Sequence, residues 1–145
     1  MSENNESSTP KWFSIVAILA LLWNLMGVLN YLMRAYRSDE AFAALPEAQQ
    51  GYLEATPAWA VAGFGLAVWF GALGSLALVL KKGWAYPVLI ISLIGVLMQM
   101  VHSFFVSNAL EVFGAGSMGM LILVLIIGIY LIWLARSAKA KGWIS

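Results

Sequence analysis

Four long apolar segments constrain the fold of this 145-residue chain more than any other feature of its sequence. They cover approximately residues 12–33, 59–80, 85–106 and 118–134. A membrane-spanning helix needs about 20 predominantly apolar residues, because the hydrocarbon core of a bilayer is about 30 Å thick and a helix rises about 1.5 Å per residue. Strands of this length without alternating polar residues do not form a membrane barrel. The pattern therefore predicts an all-α membrane protein with a bundle of four transmembrane helices.

The composition excludes several classes of protein. Hydrophobic residues make up 62% of the chain and charged residues 10%, against about 45–50% and 25% in soluble domains. Eight lysines and arginines are too few for a basic nucleic-acid-binding face. Cysteine is absent, which excludes disulfides, thiolate catalysis and cysteine-ligated metals. We therefore expect a lipid bilayer as the surrounding medium, and neither a soluble enzyme nor a nucleic-acid partner.

The order of polar and apolar segments predicts one domain with two tails. Residues 1–11 are polar and predict a disordered cytoplasmic tail. Residues 12–136 are expected to form a single transmembrane domain, and residues 137–145 a basic cytoplasmic tail. We expect the first apolar segment to be retained as a span and not cleaved as a signal peptide. Its apolar stretch is too long, and the acidic residues Glu3 and Glu6 precede it.

The first loop, residues 34–57, is too long for a bare connection. Ser38 followed by Asp39 and Glu40 is typical of a capped helix N-terminus, and Pro46 is tolerated at the first position of a second helix. The loop therefore predicts one or two short helices on the outer surface. Their apolar side should lie against the bundle and comprises Phe42, Leu45, Tyr52 and Leu53.

Lysine and arginine positions predict the orientation of the chain. Six of the eight basic residues lie in the N-terminal tail, the second loop and the C-terminus, whereas only Arg34 and Arg37 lie in the first and third loops. Because basic residues collect on the cytoplasmic side, both termini are expected there. The outer side then carries an acidic surface that is a candidate for interactions. Its residues are Asp39, Glu40, Glu54 and Glu111, together with Glu47.

Small residues form a stripe on the second helix. Gly63, Ala67, Gly71 and Gly74 are spaced four, four and three apart, which places them on one face. Such a face lets helix backbones approach closely. It predicts either helix packing inside the bundle or the contact surface of a homo-oligomer.

The first and third helices each carry a stripe of polar residues. At 100° per residue, the members of each stripe fall within an arc of about 80–100°. Polar side chains in a span face the interior of the bundle, where hydrogen bonds can be made. The two stripes are therefore predicted to face each other and to line a ligand pocket open to the outer side, with the acidic loop as its roof. The candidate residues are Trp23, Asn24, Asn30, Tyr31, Arg34, Gln99, His102 and Ser103.

Each of these residues also has a purely structural interpretation. Asn24 and Gln99, near the middle of their spans, can hydrogen-bond across helices, which contributes about 0.6–2 kcal/mol each. Arg34 at a helix end can pair with Asp39 or Glu54, with binding of a substrate anion as the alternative. The polar residues can thus be interpreted either as a ligand site or as a set of interhelical contacts.

His102 is the single histidine and is either a packed side chain or a proton acceptor. One histidine, with no cysteine in the chain and no carboxylate three or four residues away, is a poor metal site, so no metal or cofactor is expected. The four spans contain no acidic residue, and no nucleophile elbow, Walker loop or dinucleotide-binding unit is present. We therefore expect no catalytic residues and no enzymatic activity.

Six short motifs lie between Trp12 and Val106, namely LWNLMG at 22–27, ALPEA at 44–48, PAW at 57–59, GALG at 71–74, KxWAxP at 82–87 and SLIG at 92–95. In these motifs the chain resembles a family of small bacterial four-span membrane proteins labelled "sugar transporter". Its topology is also similar to that of DoxX-like four-span proteins. The resemblance implies a bacterial inner membrane and supplies no site residues. A transport role would require an oligomer, because self-contained alternating-access transporters use repeats around a midplane site.

Two functions from different classes follow from these features. The first is a small binding or accessory subunit that recognises a ligand or a membrane-protein partner at its outer face. The alternative is an oligomeric transporter or channel for a small polar solute. In that case Asn24, Gln99 and His102 are expected to line the path.

Overall fold

The computed structural model describes residues 9–145, so that the tail predicted at residues 1–11 lies mostly outside the described residues. Over this range the chain is all-helical and contains no strand. Its α-helices are α1 (Lys11–Ala35), α2 (Asp39–Ala43), α3 (Glu47–Ala55), α4 (Ala58–Val79), α5 (Ala85–Val101), α6 (Ala109–Phe113) and α7 (Ala115–Ala140). A π-helix (His102–Val106) continues α5.

Four helices are long and apolar enough to cross a membrane: α1, α4, α5 with its π-helical end, and α7. They are 22–26 residues long, and the mean hydropathy of their most apolar windows is 1.8–2.7. Much of their apolar surface is exposed, and Leu19, Met26 and Ile126 are each more than half exposed. Such an exposed apolar surface is typical of a multi-pass membrane protein, because lipid covers it in place of water.

The long helices pack in chain order, α1 against α4, α4 against α5, and α5 against α7. At one end of the molecule all four contribute to a buried core that includes Phe13, Leu78, Leu89 and Leu134. We call this the basic end, since it carries Lys11, Lys81, Lys82, Lys139 and Lys141. The opposite end carries the short helices α2, α3 and α6 with their exposed acidic residues, and we call it the acidic end.

The contact between α4 and α5 depends on glycine. A Cβ atom at Gly95 would lie 2.5 Å from the backbone nitrogen of Ala67 and 2.5 Å from the carbonyl oxygen of Gly63, too close for an ordinary contact. The Ser92 hydroxyl donates a 2.6 Å hydrogen bond to the Ala67 carbonyl oxygen across the same interface. Small residues thus let the two backbones approach closely, and a polar side chain then bonds one backbone directly.

The C-terminal segment, residues 137–145, which was predicted as a basic tail, is ordered and packs on the long helices. The helix α7 continues to Ala140, and the residues after it fold back onto the basic end. Ile144 is buried in the core, and the Trp143 ring packs edge-on against the Trp12 ring with centroids 5.5 Å apart. The two apolar residues dock because this removes their surface from water.

Two short helices, α2 and α3, form the first loop, as the sequence predicts. The Ser38 hydroxyl accepts a 3.0 Å hydrogen bond from the Ala41 backbone nitrogen, which confirms the predicted cap of α2. Pro46 lies one residue before α3 and not at its first helical position. The Thr56 hydroxyl donates to the Tyr52 carbonyl oxygen at 2.7 Å, and thereby closes the last turn of α3.

Candidate functional site

A cavity of about 380 Å³ lies among the long helices toward the acidic end. Residues of α1, α3, α4, α5, the π-helix, α6 and α7 line it. Both α1 and α7 contribute walls, although each packs mainly on a different neighbour, α1 on α4 and α7 on α5. The volume is toward the lower end of the ~300–1,000 Å³ range that is usual for small-molecule sites.

The lining of this main cavity is largely apolar and, among the described residues, carries no charged side chain. Its apolar part includes the aromatic and methionine side chains Trp23, Phe64, Phe113, Met118 and Met120. Its polar groups belong to Asn24, Asn30, Tyr52, Ser92, Gln99, Ser103 and Ser117. Apolar walls with a few hydrogen-bonding groups fit a small ligand that has an apolar body and a polar end.

The structure brings most of the predicted pocket residues together. Trp23, Asn24, Asn30, Gln99 and Ser103 line the main cavity. The clustering follows from helical geometry, because residues three, four or seven positions apart lie on one face. Proximity to the cavity does not by itself give each of them the same role.

Arg34 and His102 line a second, smaller cavity of about 40 Å³. It adjoins the main cavity, since Gln99 and Ser103 line both, as do Tyr52 and Phe64. Its lining is mainly polar, and we call it the head pocket because it could hold the polar end of a ligand whose apolar body lies in the main cavity. It holds the cationic side chain that the main cavity lacks.

Tyr31 lines neither cavity, contrary to prediction. Its ring packs against the rings of Phe64 and Trp69, with centroids 5.3 and 6.2 Å away. It also approaches Gly65, where a Cβ atom would lie 3.4 Å from its ring. Tyr31 therefore belongs to the packing of α1 on α4.

The polar stripes of α1 and α5 meet over Gly71 of α4. The interhelical hydrogen bonds of these stripes run to α4, and none joins α1 to α5 in the described residues. A Cβ atom at Gly71 would clash with the Asn24 side-chain oxygen and lie 3.1 Å from the Ser92 hydroxyl. The Asn24 amide nitrogen donates to the Ser75 hydroxyl at 3.0 Å and to the Ala20 carbonyl oxygen at 2.8 Å. Both amide protons of Asn24 are thus used within the chain.

The small-residue stripe of α4 is covered by the chain's own helices. All four of its members, Gly63, Ala67, Gly71 and Gly74, are buried. A Cβ atom at Gly63 would lie 2.8 Å from Met98, and one at Gly74 would lie 2.6 Å from Leu89, both on α5. The stripe therefore packs inside the chain, and this face is not free to contact a second copy.

Gln99 differs from Asn24 in having no internal partner. Its side chain is half-buried, lines both cavities and makes no hydrogen bond to any other residue of the described chain. Its polar atoms are not sealed off, since no fully buried side-chain polar atom of the described residues lacks a partner. An amide with open donors and an open acceptor beside a cavity is available to a ligand.

His102 is buried at the start of the π-helix, where it contacts the side chains of Tyr52 and Trp59. The Tyr52 hydroxyl lies 3.3 Å from its Nδ1, and the Ser107 hydroxyl donates to the Tyr52 oxygen at 3.5 Å. The Trp59 ring stands edge-on at 5.7 Å. The Tyr52 hydroxyl therefore shares a hydrogen bond with Nδ1 of His102, and Nε2 makes no hydrogen bond to another described residue.

The first loop covers the cavity with an aromatic side chain and not with its acidic ones. The four acidic residues are exposed and line neither cavity: Asp39, Glu40, Glu54 and Glu111. Tyr52 of α3 and Phe113 of α6 cover the main cavity instead, with ring centroids 5.0 Å apart. Short helices turn their apolar side inward and leave their carboxylates in water. The sequence pattern indicated Tyr52 only as a packing residue, and nothing in it indicated Phe113.

The predicted ion pair of Arg34 with Asp39 or Glu54 is absent. No carboxylate of residues 9–145 lies within 4.0 Å of its guanidinium group. The side chain is half-buried, and the titratable groups around it include Tyr52 and Tyr31. Arg34 is therefore a partly buried cation without an anionic partner among the described residues.

Within residues 9–145, histidine and acidic side chains nowhere gather in a group of three that could hold a metal ion.

No protein-family model, curated protein or solved structure matches this chain. Its class therefore follows from the fold and the site alone. It is an all-helical protein with the helix lengths and composition of a multi-pass membrane protein and with a small amphipathic cavity.

Proposed function

We propose that this chain is a multi-pass protein of a bacterial inner membrane, in which the four long helices form a bundle. It acts as a small binding or accessory subunit for a ligand or a partner protein at its outer face. Both termini lie in the cytoplasm, because the basic end is then on the side where lysine and arginine collect. The acidic end, toward which the cavity lies, faces outward.

The observation that carries this proposal is the main cavity with the open Gln99 amide in its wall. The volume of about 380 Å³ suits one small ligand. Asn24 is bonded within the chain and contributes mainly to stability, whereas the hydrogen-bonding groups of Gln99 are unused. The proposal therefore separates the predicted polar residues into interhelical contacts and ligand contacts.

The alternative function, which the resemblance to four-span "sugar transporter" proteins suggests, is an oligomeric transporter or channel. Two features favour the binding subunit. At the basic end Phe13, Leu78 and Leu134 are fully buried in the shared core, which separates the cavity from that end. The small-residue stripe of α4, a candidate oligomer contact, is covered by α5 and α1.

Native mass spectrometry of the full chain, gently extracted in detergent, tests the proposal. We expect a monomer, or a complex with a second protein, that retains a small molecule. The variant Gln99→Leu should lose the retained mass, and the matched variant Gln49→Leu, whose side chain lines neither cavity, should keep it. A bare symmetric oligomer would favour transport, and a bare monomer in every sample would contradict the binding function.

A further inference from the structure

We infer that the cavity selects an amphiphile with a carboxylate head, such as a medium-chain fatty acid, and that Arg34 in the head pocket binds the carboxylate. The inference rests on the proposed binding function and names its ligand class. Its basis is that an apolar cavity of about 380 Å³ adjoins a polar pocket of about 40 Å³ that holds a cation, with four lining residues in common.

Arg34 supplies the charge that such a ligand needs. A partly buried charge is costly unless an opposite charge or hydrogen bonds compensate it. The Arg34 side chain is half-buried, and no carboxylate of residues 9–145 lies within 4.0 Å of it. Its charged neighbour Arg37 adds positive and not negative potential. An anion brought by a ligand is therefore the partner that this site lacks.

The other groups of the head pocket are also suited to an anion. Gln99 and Ser103 line it with side chains that make no hydrogen bonds to other described residues. His102 uses Nδ1 in its contact with Tyr52, and its Nε2 makes no hydrogen bond to another described residue. Two neutral side chains with free donors, Gln99 and Ser103, thus accompany one guanidinium group, whose planar fork matches carboxylate geometry. Carboxylate side chains do not line the pocket.

The sizes of the two cavities agree with the carboxylate head and the alkyl chain of such an amphiphile. A water molecule needs about 10–15 Å³ on the same measure, so that about 40 Å³ accommodates the oxygens of a carboxylate. The main cavity, which shares Gln99 and Ser103 with the head pocket, has apolar walls that include Phe64 and Val124. A single alkyl chain in this cavity meets no charged side chain.

If the site lies in a bilayer, the head group of the ligand must contribute more to selectivity than its alkyl chain does. An alkyl chain gains little by moving from lipid into an apolar cavity, because both surroundings are hydrocarbon. A charge-assisted hydrogen bond, by contrast, contributes about twice as much as a neutral one. The site is therefore expected to distinguish ligands by head group more than by chain.

Binding of dodecanoate and of the neutral analogue dodecanol to the full chain in phosphatidylcholine nanodiscs tests this inference. At about pH 8 free dodecanoate is ionised. We expect Arg34→Gln to weaken dodecanoate binding about 10- to 100-fold and to leave dodecanol binding unchanged. The matched variant Arg37→Gln, which removes an equal charge outside both cavities, should weaken dodecanoate binding far less than Arg34→Gln does. Arg34→Lys should recover part of the affinity.

A second pair of variants separates failure of this inference from failure of the proposed function. Val124→Trp fills the main cavity and should weaken both probes, whereas Ile122→Trp, which lies on the exposed side of α7 and lines neither cavity, should weaken neither. If Val124→Trp weakens both probes but Arg34→Gln weakens neither, the carboxylate preference is wrong and the binding cavity stands. If Val124→Trp and Arg34→Gln are both without effect, these ligands do not bind in the cavity and the inference fails. The proposed binding function fails as well only if native mass spectrometry also finds a bare monomer in every sample.

Discussion

The Tyr52 hydroxyl lies 3.3 Å from Nδ1 of His102, and this contact ties a short helix of the first loop to the end of the third long helix. The two rings stand edge to face with centroids 5.7 Å apart. The same tyrosine covers the main cavity and borders the head pocket. Fifty residues separate the two partners in the chain, so their contact is a property of the tertiary fold.

Removing this hydroxyl should loosen α3. In Tyr52→Phe the buried Nδ1 of His102 loses its partner, and an unsatisfied buried polar group costs about 1–3 kcal/mol. We expect a lower melting temperature and faster amide exchange in α3. Tyr36→Phe removes the same group from a side chain that is 83% exposed, and it should change neither measurement. Equal behaviour of the two variants would mean that the Tyr52–His102 contact contributes nothing to the docking of α3.

Asn24 and Gln99 should respond differently to the same kind of substitution. Asn24→Leu removes two hydrogen bonds and leaves the buried Ser75 hydroxyl without this donor. Each membrane hydrogen bond contributes about 0.6–2 kcal/mol, so thermal or denaturant unfolding in detergent should show a clear loss of stability. Gln99→Leu breaks no internal hydrogen bond and should leave stability within about 0.5 kcal/mol of the wild type. Comparable destabilisation by both would make Gln99 a structural contact and not a ligand contact.

Gly95 should not tolerate even a methyl group. In Gly95→Ala the new Cβ would lie 2.5 Å from the backbone of α4, so the two helices must separate. Overpacking of this kind costs about 1–3 kcal/mol, which a melting curve in detergent resolves. The matched variant Gly119→Ala adds the same atom on α7, where nothing lies within 4 Å of it. Its stability should be unchanged or slightly higher, since alanine favours helix over glycine.

The orientation can be tested by labelling single cysteines, because the natural chain contains none. Ala48→Cys lies on exposed α3 at the acidic end, and Ala140→Cys lies at the exposed end of α7. With the outer barrier permeabilised and the inner membrane intact, a membrane-impermeant thiol reagent should label position 48 and not position 140. The reverse pattern would invert the proposed topology. As a control for reactivity, both cysteines should be labelled once the membrane is solubilised.

The apolar segments predicted the positions of the four long helices well. Their interior residues were right, and the largest difference is at α7, which begins three residues earlier and ends six residues later than the segment 118–134. A serine cap and the proline positions likewise predicted α2 and α3 from local chemistry. Such features can be derived from sequence because hydropathy, helical period and capping each involve residues that are close along the chain.

Helical periodicity also selected polar residues that do share a cavity, but it did not distinguish their roles. It placed Tyr31 in the same stripe as Asn24, although Tyr31 packs on Phe64 and lines no cavity. Whether a residue of this stripe faces the cavity or α4 depends on the rotation of α1 about its own axis. That rotation depends on how the side chains of α1 and α4 fit together, and neither segment encodes it alone.

The all-helical class, the four apolar helices and the capped first loop could be derived from the sequence, since each depends on short-range patterns. The packing of the folded chain, by contrast, sets three further features: Asn24 bonds to Ser75, Arg34 is unpaired beside His102, and Tyr52 rather than a carboxylate covers the cavity. These outcomes depend on contacts between residues far apart in the chain. These contacts form only at the short distance between helices that the glycines of α4 and α5 allow.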